Sequence, residues 1–284
     1  MLAVTGMVVR IGIVAPACRM DEAAAERVRA FVERDYRGKA EVLFHPQCFL
    51  RSGHFAGQDE ERAAALVEYA NDDTLSVVWF ARGGYGSFRI LDLALPRLKQ
   101  PAHRKTYLGY SDLGSLLGAL YARRVGRSVH GPMPADILRP DGEQAVLRAL
   151  DFLTGSSVVH CEPSLAAGSK VAAFNLTILS RLIGTAHFPD LAGHVLMLEE
   201  VSEYMYNIDR TMAHLVSYPP LRDVAGIRLG RCSLVPPNEP EFGKSEVEVV
   251  SHWCQRAGIP FLGRADIGHD VQNKIVPFGD VAVS

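Results

Sequence analysis

Thr106-Tyr-Leu-Gly-Tyr-Ser-Asp-Leu-Gly-Ser-Leu-Leu-Gly-Ala-Leu120 passes from one kind of periodicity to another within a few residues. Thr106–Gly109 reads as a short strand. Gly-Tyr-Ser-Asp follows, and the small, apolar, helix-spaced run Leu113–Arg123 begins at once. A serine between them stands on a sharp strand-to-helix turn. Its Oγ is presented at the end of a sheet, beside backbone N–H groups that can stabilise an oxyanion. Ser111 is thereby a candidate nucleophile. The same position also suits an ordinary helix cap, in which Ser or Asp accepts a hydrogen bond from the first turn. Leu113 stands where G-x-S-x-G has its second glycine, so this segment alone leaves both readings open.

Upstream of this stretch the chain alternates. Strands are expected at Val8–Val14, Ala40–Phe44 and Leu75–Phe80, and helices at Asp21–Arg34, Asp59–Asn71 and Phe88–Leu95. Leu75–Phe80 is apolar except for Ser76, as in a strand covered on both faces. The β-α alternation predicts an α/β fold, with an N-terminal parallel sheet flanked by helices in a flavodoxin-like or amidotransferase-like manner. In such sheets ligands bind at the carboxyl ends of the strands. There Ser111 meets a glycine-rich loop, Ala81-Arg-Gly-Gly-Tyr-Gly-Ser87.

Downstream the texture changes. Arg139–Gly142 is rich in turn residues and Glu143–Thr154 is amphipathic. Ser156–Pro163 reads as extended, Val171–Leu182 as helical, and His194–Glu199 as a strand. A helix over Ile208–Ser217, a strand within Leu221–Leu234 and a loop at Pro236–Pro240 follow. Next come a helix at Ser245–Ala257, a strand at Ile259–Leu262 and a polar loop over Gly268–Gly279. The expected organisation is an N-terminal α/β domain over 1–136, a linker over 137–165, and a smaller mixed α/β domain over 166–284.

Composition narrows the function. The chain has 284 residues, 48% hydrophobic and 22% charged, with a net charge of −2. That is ordinary for a globular protein and leaves no electrostatic footprint for nucleic acid or an anionic membrane. The five cysteines are far apart with no C-x-x-C pair, which suggests neither a disulfide framework nor a metal site. No apolar run reaches the roughly 18 residues of a membrane span, and the N-terminus lacks the basic start of a signal peptide. The expected compartment is the cytoplasm.

Three residues at or after strand ends could work together: Ser111, Glu199 at the close of the apolar run Val195–Leu198, and His269 in Gly268-His-Asp270. A hydroxyl, an imidazole to take its proton and an acid to hold the imidazole make a nucleophilic set, however far apart in sequence. Each residue alone has a blander reading, as a solvated acid or a turn histidine. The glycine loop is neither a Walker A loop nor G-x-G-x-x-G, because Arg89 replaces the last glycine. Its more natural use is to donate one N–H to an oxyanion, with the Asp112 N–H as second donor.

The chain resembles the LD-carboxypeptidase family of serine peptidases, which includes muramoyltetrapeptide carboxypeptidases and microcin C self-immunity peptidases. The matching blocks span nearly the whole chain. They are Ile11–Pro16, Phe55–Ala63, Ala81–Ser87, Leu108–Leu113, His130–Met133, Asn175-Leu176 with Gly184-Thr185, Leu198–Glu200 with Tyr206–Arg210, and Gly268–Asn273 with Val276–Gly279. The resemblance implies two α/β domains with the site between them. It implies Ser111 as nucleophile, Glu199 as acid, His269 as base, and the Gly84 and Asp112 backbones as oxyanion donors. It also implies cleavage of an amide between an L-centre and a terminal D-amino acid in murein tetrapeptides, with no metal or other cofactor, commonly by a homodimer. Arg82, Tyr85 and Asn175 are candidate substrate contacts, with Arg82 suited by position to a terminal carboxylate.

Departures from the family pattern carry expectations of their own. Ala173-Phe174 stand where the family usually has Gly-Gly, so Phe174 is expected to intrude on the space those glycines leave. Glu199-Glu200 replaces Glu-Asp. Alternation along a strand lets only one of the pair reach His269, and the motif selects Glu199. The chain ends five residues after Gly279, where relatives usually continue into a final strand. Two rival readings follow. One is a microcin-type peptidase cleaving a peptidyl-nucleotide amide, which should need an aromatic to stack on the base; residues 137–170 hold no Trp or Tyr. The other is a non-catalytic relative that binds cell-wall peptides.

Overall fold

The computed structural model describes residues 8–155 and 160–281. Five parallel strands form the first sheet: β1 (Val9–Val14), β2 (Ala40–Phe44), β3 (Val77–Phe80), β4 (Thr106–Gly109) and β5 (Arg127–His130), in the order β2-β1-β3-β4-β5. The strand β10 (Val276–Pro277) joins its edge antiparallel to β5. The second sheet sets β6 (Lys170–Asn175), β7 (His194–Val201), β8 (Gly226–Ser233) and β9 (Phe261–Arg264) in parallel. There β11 (Gly279–Asp280) runs antiparallel along β6. This is the expected α/β class, with two sheets of mostly parallel strands flanked by helices.

Helices α1 (Glu22–Asp35) and α5 (Gly142–Leu153) cover one face of the first sheet, over a core that includes Ile13, Val28, Trp79, Val146 and Leu150. The other face carries α2 (Asp59–Asn71), α3 (Leu91–Ala94) and α4 (Gly114–Ala122). Its core continues without interruption into the second sheet, where α6 (Leu176–Leu182), α7 (Met205–Ser217) and α8 (Glu246–Ala257) pack. The residues of α4 from Gly114 to Leu120 are apolar or small and all buried, as a helix between two layers requires. Gly118 lets it approach closely: a Cβ there would lie 3.0 Å from Leu182 Cδ1 and 3.2 Å from Phe174 Cε1.

Several expected elements are redrawn. Val171–Leu182 is not one helix. Lys170–Asn175 is a strand between β7 and β11, and the helix starts only at Leu176, where Asn175 caps it by accepting from Ile178 N–H. Two alanines at 172 and 173 favour a helix locally, but burial on both faces of a central strand decides otherwise. The strand Arg127–His130 lies where none was expected, and the strand expected at Ile259–Leu262 runs over Phe261–Arg264. Gly268–Gly279 is not wholly loop, since β10 and the start of β11 lie at its end. Of the extended segment expected at Ser156–Pro163, residues 156–159 lie outside the described ones. Among the described residues no helix is long and apolar enough to cross a membrane.

Candidate active site

The strand order reverses direction between β1 and β3. The loops leaving these strands diverge there and open a crevice, the usual ligand position of such sheets. A cleft of about 360 Å³ occupies it, lined by Asp21 and Ala24 after β1, Arg82, Gly83 and Gly84 after β3, Tyr110 and Ser111 after β4, and Met133, Ala135, Asp136, Leu138 and Arg139 after β5. His269 enters from the loop that follows β9.

Ser111 sits on the β4–α4 elbow with φ of +61°, a left-handed conformation that costs a non-glycine residue energy. Gly83 makes room for it, since a Cβ there would lie 2.9 Å from Ser111 Cβ and 3.0 Å from its Oγ. His269 Nε2 is 2.9 Å from Ser111 Oγ, and His269 Nδ1 is 2.5 Å from Glu199 Oε2. With Nδ1 donating to the carboxylate, Nε2 carries the lone pair that accepts the serine proton. Glu199 is fully buried near the end of β7. Burial pulls the His269 pKa down, but the charge of Glu199 and its hydrogen bond push it up further, so the net shift is upward.

Adjacent Glu200 points the other way, as strand alternation demands. Its carboxylate accepts from Asn175 Nδ2 at 2.7 Å, from Thr177 N–H and Oγ1 at 2.9 and 2.7 Å, and from Val201 N–H at 2.9 Å. Glu199 is thus the acid that reaches the imidazole. Asn175 lies outside the cleft lining, 5% exposed, with its side chain divided between Glu200 and the first turn of α6.

Of the other expected contacts, Arg82 lines the cleft and Tyr85 does not. Arg82 is exposed on its wall, and its guanidinium makes one long bond, 3.4 Å to Arg19 O. Among the described residues it has no acidic partner. Tyr85 is 51% exposed and packs on His54 and Phe55, away from the cleft lining. Gly84 adopts φ of +103°, and a Cβ there would lie 2.4 Å from Cys18 Sγ, so only glycine fits. Neither the Gly84 nor the Asp112 N–H donates to a described residue. The Asp112 carboxylate faces away from the cleft and accepts from Ser87 N–H at 2.8 Å, while Ser87 Oγ donates to Asp112 O at 2.7 Å. These bonds tie the glycine loop to the serine elbow.

Phe174 does not intrude on the cleft. Its ring is buried against Phe278 at 5.0 Å and against α4 beside Gly114 and Gly118. Further residues hold the site in ways that the sequence does not announce, even where they fall within the matching blocks, as Arg62 and His130 do. Arg62 is buried and donates to Pro16 O and to Gly86 O, bracing the loops after β1 and β3. Arg139 donates to His269 O, and His130 meets Asn273 Oδ1 within the loop that carries His269. Arginines and histidines in such places become informative only once the packing brings the loops together. Among the described residues no group of three or more His, Cys, Asp or Glu side chains could hold a metal ion.

A two-sheet α/β protein with a serine on a strained elbow, bonded to a histidine that is bonded to a buried glutamate, has the build of a serine hydrolase. Comparison with known proteins is more specific. Residues 11–131 match the LD-carboxypeptidase N-terminal domain and residues 169–283 the C-terminal domain, and the chain belongs to that family. It is a serine-type carboxypeptidase. The probable murein peptide carboxypeptidase of Bacillus subtilis is 30% identical, over 95% of this chain and 86% of its own. The crystal structure of muramoyltetrapeptide carboxypeptidase from Oxalobacter formigenes superposes with a TM-score of 0.78 at 26% identity. It covers 94% of this chain and 93% of that one. The microcin C7 self-immunity protein MccF in complex with aspartyl sulfamoyl adenosine has a TM-score of 0.76 over 100% of this chain and 98% of its own. At 19% identity that likeness speaks for the fold.

Proposed function

We propose that this protein is an LD-carboxypeptidase of murein peptides, cleaving the amide between an L-centre and the terminal D-amino acid of a tetrapeptide. The observation that carries the reading is the continuous hydrogen-bonded path from Ser111 through His269 to Glu199 at a cleft. The names of the Bacillus and Oxalobacter relatives supply the substrate class.

In this reading His269 Nε2 takes the Ser111 proton as Oγ bonds to the scissile carbonyl carbon. Glu199 holds the imidazole tautomer and stabilises the imidazolium. The Gly84 and Asp112 N–H groups receive the oxyanion. His269 then gives the proton to the leaving nitrogen, the C–N bond breaks, and the D-amino acid departs. Water, deprotonated by the same imidazole, cleaves the acyl-serine ester and restores the hydroxyl. Arg82, exposed at the cleft without an acidic partner among the described residues, is the cation for the substrate's terminal carboxylate. The reaction belongs in the cytoplasm, where turnover products of the wall are reprocessed, and the working form is a homodimer.

Mass spectrometry of muropeptide digests tests this. Wild type is expected to release D-Ala from tetrapeptides and Ser111→Ala to release none above background. Arg82→Ala is expected to raise KM about tenfold or more with a smaller change in kcat, as loss of a charge-assisted contact to the ground state does. Equal release by wild type and Ser111→Ala, or release only from a peptidyl-nucleotide amide, overturns the reading.

A further inference from the structure

His269 comes from the C-terminal part of the chain, yet its loop is held from the first sheet. Arg139 Nη1 donates to the His269 carbonyl oxygen at 2.5 Å. Its Nε pairs with Asp136 Oδ1 at 2.9 Å, and its Nη2 reaches the Tyr110 hydroxyl at 3.3 Å. Asp136 is buried and doubly fixed, accepting from Tyr110 OH at 2.9 Å and from Met133 N–H at 2.8 Å. Tyr110 directly precedes Ser111, and its ring centroid lies 5.0 Å from that of His269. One guanidinium therefore bonds both the elbow of the serine and the backbone of the imidazole that must meet it.

We propose that Arg139, anchored by Asp136 and Tyr110, is a positioning residue that sets the His269 imidazole at hydrogen-bond reach of Ser111 Oγ. The proposal rests on the reading of Ser111 and His269 as nucleophile and base. The two residues sit on loops of different sheets, 158 positions apart in sequence, so local chain geometry does nothing to fix their separation. A displacement of about 1 Å between reacting groups can cost about 100-fold in rate. Arg139 also lines the cleft, which makes a substrate contact the rival role. Its nitrogens are already directed at Asp136, Tyr110 and His269, whereas Arg82 makes only the long bond to Arg19 O. The far half of the loop has a separate strap, because Arg148 Nη1 donates to Val271 O at 2.8 Å and to Asn273 O at 3.2 Å. Removing Arg139 thus frees the base to shift without releasing the whole loop.

The test reads the serine directly, through the rate at which a fluorophosphonate labels Ser111 in the full-length protein. Arg139→Ala is expected to slow labelling about 100-fold. It should lower kcat on a murein tetrapeptide by a similar factor and leave KM within about twofold. Arg139→Lys, whose single ammonium cannot bridge both the Asp136 carboxylate and the His269 carbonyl, is expected to fall between the two. A loss of stability alone would lower the folded fraction without changing the labelling rate of the folded molecules, so rates are taken per folded protein by circular dichroism. Labelling of Arg139→Ala at the wild-type rate overturns the proposal, as does a raised KM with labelling unchanged, which would make Arg139 a substrate anchor. If Arg139→Ala does not fold, Arg139→Lys decides by the same criterion. Failure of the wild type to be labelled removes the reading of Ser111 itself, and the proposal with it. A labelled wild type with an equally labelled variant removes the proposal alone.

Discussion

At the scale of single residues, the proposed chemistry turns on one imidazole under two opposed influences. Burial alone would depress the His269 pKa, but Glu199, and more weakly Glu200, raise it above its ordinary value near 6.5. Only neutral imidazole accepts the serine proton. Activity should therefore fall with decreasing pH through a midpoint above that of a free histidine. Glu199→Gln removes the charge that raises the pKa and leaves the burial that lowers it. The acid limb of kcat/KM is expected to move to lower pH, while the plateau falls by as much as about 10⁴-fold through loss of the favoured tautomer. A pH–rate profile of labelling or hydrolysis measures both. An acid limb that stays in place would show that Glu199 does not set the His269 titration. The meeting of Ser111, His269 and Glu199 was legible in the sequence because strand ends and family blocks mark them. The bracing by Arg62, Arg139 and Arg148 was not, even though Arg62 lies within the block Phe55–Ala63, because each acts on the carbonyl oxygens of other loops, and a carbonyl leaves no trace in the identity of its residue.

At the scale of elements, the second half of the chain was read less well than the first, and Val171–Leu182 shows why. Ala172, Ala173 and Phe174 form a strand because β7 pairs with them residue by residue, while β11 closes the other side only at Lys170 and Val171. The same neighbours turn Phe174 into the interior and commit Asn175 to Glu200 and α6. The two-residue strands β10 and β11 are too short for any periodicity. Asn175→Ala removes the N-cap of α6 and one donor to a buried carboxylate, together about 2 kcal/mol of stability, since Thr177 and Val201 still bond Glu200. A urea midpoint lowered accordingly, with KM within about twofold of wild type, is the expected result. A KM raised several-fold with the midpoint unmoved would instead place the Asn175 amide on the substrate.

At the scale of the whole molecule, the site depends on two sheets holding a fixed relation, since the serine and the glutamate that serve one imidazole lie on different ones. The joint is the α4–α6 packing together with the returning chain, which pairs with β5 through Val276–Pro277 and with β6 two residues later. Phe278 lies between these pairings, 7% exposed, its ring 5.0 Å from Phe174 and 5.6 Å from Tyr121. A core continuous across the joint predicts one cooperative unfolding transition, and the two tryptophans can report on it separately. Trp79 is buried in β3 of the first sheet, and Trp253 sits on α8 beside the second, its Nε1 donating to Asp209 Oδ1 at 2.9 Å. In urea, Trp253→Phe, which leaves Trp79 as the reporter, is expected to unfold at the same midpoint by fluorescence as by far-ultraviolet circular dichroism. Adding Phe278→Ala removes a buried aromatic ring at a cost of about 3–5 kcal/mol. Because that loss falls on the joint, the two midpoints should separate, with Ser111 labelling lost at the lower one. Two midpoints that move down together by the same amount would show that Phe278 contributes only bulk burial, and that the relation between the sheets is fixed by α4 and α6 alone.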